Sequence, residues 1–121
     1  MYTRRQTTEI VDKLIELTQH RTLLWSSDDP PGHLRGPDVR VEAIYSAKHI
    51  GRNLRLYKRT SRAYIDDVQY YWEDSVVLEI VDDWEVVLAE LPETPNAKEL
   101  LKAVQFQNPA VGGFYAELLG S

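Results

Sequence analysis

The residues of this chain best suited to chemistry are three acidic pairs, Asp28-Asp29, Asp66-Asp67 and Asp82-Asp83, and three histidines, His20, His33 and His49. Two carboxylates held close together can bind a divalent cation or divide acid and base roles. Each pair here lies in a segment of loop composition, where adjacent Asp residues serve most often to form turns. None follows the acid-x-acid-x-acid-Gly pattern of a calcium loop. The histidines fall on a helix end, a proline-rich loop and a turn, without the i,i+3 or i,i+4 pairing that builds zinc sites.

Nucleophilic chemistry has no better support. The chain has no cysteine, which removes disulfides, thiolate catalysis and Cys-ligated zinc. It has no G-x-S-x-G elbow and no Gly-rich strand-to-helix turn to cradle phosphates. Pro37-Asp38 invites comparison with metal-dependent nucleases, but the acid-x-Lys tripeptide those enzymes need downstream is missing. No catalytic residue, metal site or cofactor is therefore expected. An enzymatic reading survives only as a carboxylate hydrolase, which needs Asp28, Asp66, Asp82 or Asp83 to converge in one cleft.

Binding chemistry is better represented. The stretch GRNLRLYKRTSRAYIDD, Gly51 to Asp67, with Lys48 just before it, carries six cations and no acid until Asp66. Leu54 and Leu56 alternate with Arg55, Tyr57 and Arg59, so a strand that turns its leucines to a core leaves the latter three in water. Arg52, Arg55, Tyr57, Arg59 and Arg62, with the neighbouring Tyr64 and Tyr70, are the candidate partner-binding residues. Their first reading is a contact for an acidic protein surface, on a partner or on a second copy of the chain. The alternative is single-stranded nucleic acid, with phosphates neutralised and bases stacked on tyrosine. The net charge of −5 argues for the protein reading. That charge is unevenly divided: residues 1–62 carry +5 and residues 63–121 carry −10, so the halves attract within a chain or between copies.

The elements that position these residues follow from periodicity. Thr3 and Gln6 have capping-box spacing, and Ile10, Val11, Leu14, Leu17 and Thr18 make one helical stripe. Leu23 to Ser27 reads as a short strand or an extended lead into SSDDPPGHLRGPD, a flexible Pro/Gly-rich loop over 26–38. From Val39 the period becomes two, giving a hairpin that turns near His49-Ile50-Gly51. A third extended run carries Tyr64, Val68, Tyr70 and Trp72, bent near Asp66-Asp67. Ser75–Val81 and Trp84–Leu91 read as strands joined at Asp82-Asp83. Val76, Leu78 and Ile80, with Trp84, Val86 and Leu88, are expected on the helix-covered face. Val77, Val81 and Val87 would make a second, partly apolar face open to self-association. Asn96 with Glu99, and Asn108-Pro109, open two further helices, and Gly112-Gly113 weakens the second.

The order predicts a single α+β domain over 1–121: an antiparallel four- or five-stranded meander with one N-terminal and two C-terminal helices packed on one face. No long apolar run marks a membrane span and no signal peptide opens the chain, so a cytoplasmic setting is expected. The series LIELT, LLW, GRNLRLYKR, YYWEDSVVLEIVDD and ELLKAVQFQ, closed by a short helix, resembles a family of small stand-alone bacterial proteins with no assigned activity. The resemblance implies a self-contained bacterial domain and carries over no catalytic residue. Asp82-Asp83-Trp84 replaces a longer Gly-containing turn of that pattern, and the loop at 26–38 is longer.

Overall fold

A computed structural model describes residues 1–120. Helix α1, Arg4–Gln19, opens on the capping box the sequence specifies. Gln6 N–H donates to Thr3 Oγ1 at 3.1 Å, and Thr3 N–H donates to Gln6 Oε1 at 2.9 Å. Six strands then form one antiparallel sheet: β1 Ser26–Asp28, β2 Val39–Arg40, β3 Ile44–His49, β4 Arg52–Tyr64, β5 Tyr70–Val81 and β6 Val87–Glu90. Their order is β1-β3-β4-β5-β6, with β2 added along the outer part of β4. Helices α2, Ala97–Phe106, and α3, Pro109–Leu118, end the chain.

One face of the sheet meets α1 and α2. Val11 and Leu14 of α1, Leu100, Leu101 and Val104 of α2, and Ala47, Leu56, Val76 and Leu78 of the strands form the main core. The helices are held by polar contacts too. Asn96 is the N-cap residue its spacing suggested, but its side chain makes no capping bond and donates to the Thr8 carbonyl and to Asp12 Oδ1 of α1. Gln107 donates to the carbonyls of Thr18 and Leu23 and accepts from Trp25 N–H, tying the ends of α1 and α2 to the lead into β1.

Several expectations are corrected. The strand read from Val39 to Ser46 is broken at Val41–Ala43 into β2 and β3. The third extended run is not a separate strand: Tyr64 ends β4 and Tyr70 begins β5, so the two pair without interruption from Asn53↔Val81 to Tyr64↔Tyr70. Trp84, Val86 and Leu88 do not face the core; Trp84 is 87% exposed. Asp82 Oδ1 accepts from the N–H groups of Trp84 and Val86, and Glu85 takes a positive φ, which enlarges the turn. A register irregularity at Ile80/Val81 then sets Ala89 opposite Ile80. A one-residue slip exchanges the two faces of a strand, so Ala89 and Leu91 point where Leu88 was expected.

The second sheet face is closed in part by the chain itself. Leu34, in a 3-10 turn over Gly32–Leu34, packs with Val41, Ile44, Tyr57 and Val77 into a smaller core. The segment read as a flexible loop thus covers Val77 through Leu34, while Val87 on the same face stays 42% exposed. The two C-terminal helices part company as well: α2 packs on the sheet, whereas α3 buries none of its residues.

Candidate functional site

The sheet register divides the basic strip. Odd positions of β4 share the second face, and even positions share the helix-covered face. Arg55 and Tyr57, expected in water, are each 2% exposed. Arg55 Nε donates to Glu79 Oε1, and its Nη1 and Nη2 are buried without an acceptor among the described residues. Tyr57 packs into the smaller core; burial, then the Glu79 charge, push its phenol up to about 12 from 10.0. The leucine alternation fixed their face but carried no signal that Leu34 and Val41 would cover it.

The remaining candidates separate. Arg59 reaches Glu90 of β6 at 3.4 Å, in a half-exposed ion pair. Arg52 stands in solvent at the β3–β4 turn and donates to the Ile50 carbonyl. Only Arg62, Tyr64 and Tyr70 are brought together. They occupy the even-numbered face of the β4–β5 ribbon, where Arg62↔Trp72 and Tyr64↔Tyr70 are directly opposed. The Arg62 guanidinium lies 4.4 Å from the Tyr70 ring centre and 5.2 Å from that of Trp72. Arg40 of β2 stacks on Trp72 at 4.4 Å, and the Tyr70 and Trp72 rings meet edge-on. Asp38 accepts from the Tyr64 hydroxyl at 2.8 Å and pairs with Arg62 at 3.5 Å. Arg40 and Asp38 were not among the candidates, because only the pairing of β2 with β4 brings them here.

The acidic pairs do not converge. Asp66 sits in the β4–β5 turn, accepting from Val68 and Gln69 N–H groups. Asp82 organises the β5–β6 turn, and Asp83 accepts from Asn53 Nδ2 at 2.8 Å. Those turns lie at opposite ends of β5, so Asp66 shares no cleft with Asp82 and Asp83. No group of three His, Asp or Glu side chains suited to a metal ion occurs among the described residues. Among them, too, no helix is long and apolar enough to cross a membrane.

A further exposed apolar surface lies on the last helix. Helix α3 starts well, with Asn108 Oδ1 accepting from Ala110 N–H and Pro109 in the first turn. Its only charged residue is Glu117. Val111, Phe114, Tyr115 and Leu118 are 48–67% exposed, and Leu119 and Phe106 extend the patch. Gly112 fixes the angle at which α3 leaves α2, since a Cβ there would overlap the Phe106 carbonyl oxygen. Gly113 has open space around it.

No protein-family model matches the chain, and no curated protein or solved structure matches it. Function therefore rests on the surfaces themselves.

Proposed function

We propose that this chain is a non-catalytic interaction module that associates with a second copy of itself through α3. The observation that carries the reading is the near absence of polar side chains on a helix that buries no residue. A helix apolar around its circumference is normally enclosed on several sides. Six side chains, Phe106, Val111, Phe114, Tyr115, Leu118 and Leu119, form the patch. Aromatic side chains bury roughly 150–250 Å² when enclosed, so at these exposures the patch offers on the order of 600 Å². A standard interface takes about 800 Å² from each partner, most of which this patch supplies. A two-fold axis along α3 sets the same patch against itself and closes the assembly at two copies. Glu117 is the one charge in the helix, so few charges need to be desolvated in the contact.

This reading moves the interaction surface from the basic strip to the C-terminal helix. Phe114→Asp combined with Leu118→Asp tests it by sedimentation velocity. Neither side chain supports the folded core, so the variant should keep the wild-type circular dichroism and lose the dimer, together with the concentration dependence that dimerisation gives the wild-type melting temperature. A double variant that dimerises as the wild type does contradicts the proposal.

A further inference from the structure

We infer that the groove between α2 and the β4–β5 ribbon is a binding site for single-stranded nucleic acid, independent of the α3 surface. The groove has a volume of about 430 Å³ and is walled by Lys98 and Lys102 of α2, Lys58 and Thr60 of β4, Arg40 of β2 and Tyr45 of β3. The four cations take part in none of the ion pairs among the described residues. In a chain with 19 acids against 14 Lys and Arg, such a cluster of unpaired cations is not the average surface. Two acids, Glu42 and Asp74, also line it, and Asp74 is engaged by the Thr60 hydroxyl at 2.7 Å. The lining keeps a balance of two positive charges.

The groove does not end blind. Lys58, Thr60, Arg62 and Tyr64 succeed one another on one face of β4, opposite Val76, Asp74, Trp72 and Tyr70. Moving outward from the cations, the surface becomes the ladder Arg40–Trp72–Arg62–Tyr70, with stacking distances of 4.4, 5.2 and 4.4 Å. An electropositive channel that leads onto aromatic and guanidinium planes suits a ligand with phosphates and unstacked bases. An acidic polypeptide would use the cations and leave the ladder idle. A duplex would present phosphates but keep its bases inside the stack.

Fluorescence anisotropy of a short end-labelled oligothymidylate, titrated with the full chain, tests the site. Saturable binding is expected, weakening roughly 20-fold between about 50 and 200 mM salt if about three phosphates are contacted. Lys98→Glu with Lys102→Glu, both on the exposed surface of α2, should lower affinity at least about tenfold and flatten that salt dependence. Trp72→Leu keeps apolar bulk beneath Arg40; it should lower affinity about fivefold or more and leave the salt slope unchanged. Unchanged melting temperatures establish that the variants are folded. No anisotropy change at high micromolar protein overturns the site. So does equal affinity for the duplex, or displacement of the oligonucleotide by polyglutamate at equal charge concentration. Because α3 takes no part, the Phe114→Asp, Leu118→Asp variant should bind the oligonucleotide as the wild type does.

Discussion

Arg55 Nε donates to Glu79 Oε1 at 2.9 Å, directly across the β4–β5 pair, with both side chains buried. An ion pair in such a place repays the desolvation of its charges poorly, yet removing one partner strands the other. Arg55→Ala should therefore cost about 3–5 kcal/mol in urea unfolding. Arg55→Met combined with Glu79→Leu fills the same space without charge. It should fall within about 1–2 kcal/mol of the wild type or exceed it, since two guanidinium nitrogens go without an acceptor among the described residues. A small loss for Arg55→Ala alone would mean that the pair is solvated.

Tyr57 adds a pH dependence at the alkaline end. Its phenol is raised to about 12 in the folded chain, from 10.0. Between these values the unfolded chain releases the proton and the folded chain keeps it, so stability falls as pH rises from about 10 to about 12. Two units correspond to about 3 kcal/mol. The measurement is a difference: the stability of the wild type minus that of Tyr57→Phe, followed from pH 9 upward. The gap should be flat below about 10 and shift against the wild type above it. Parallel pH profiles would place Tyr57 in water.

The glycines of α3 should behave oppositely although they are adjacent. Gly113→Ala meets no neighbour and gains about 1 kcal/mol of helix propensity. Gly112→Ala must move α3 away from the Phe106 carbonyl, which changes the presentation of the apolar patch. Thermal melts and sedimentation together report this, with raised stability for Gly113→Ala and weakened dimerisation for Gly112→Ala.

Gln107 is the polar tie between three segments, through its bonds to Thr18, Leu23 and Trp25. Gln107→Ala removes three part-buried hydrogen bonds and should cost about 2–3 kcal/mol in urea unfolding. Trp25 emission should shift at the same time, because its backbone N–H loses its acceptor and its Nε1–H bond to Thr18 Oγ1 depends on the same corner. A neutral substitution would show that the corner is held by packing alone.

How much of this was legible beforehand depended on whether the signal was local. The capping box at Thr3 and Gln6 and the leucine alternation at Leu54 and Leu56 are local, and both stand in the structure. The α+β class followed from the order of such elements. The faces of β6 were misassigned because one irregularity at Ile80/Val81 and the positive φ at Glu85 reset the alternation, and periodicity cannot register a slip. Arg55 and Tyr57 looked solvent-facing because their cover comes from Leu34, in a segment whose prolines and glycines read only as a loop, and from Val41, in a run read as unbroken strand. The ladder was half visible: Arg62, Tyr64 and Tyr70 were singled out, and Trp72 lay in their aromatic run. Arg40 and Asp38 reach it only through pairing across twenty residues or more. The exposure of α3 had no sequence signal at all, since an apolar helix reads as core wherever it lies.

The most direct measurement is light scattering on the eluting peak of the intact wild-type chain, repeated across a wide concentration range. Self-association through α3 predicts a mass rising to twice that of the monomer and going no further, with the rise abolished by Phe114→Asp and Leu118→Asp. A mass that stays at one chain throughout, or one that keeps climbing past two, would contradict it.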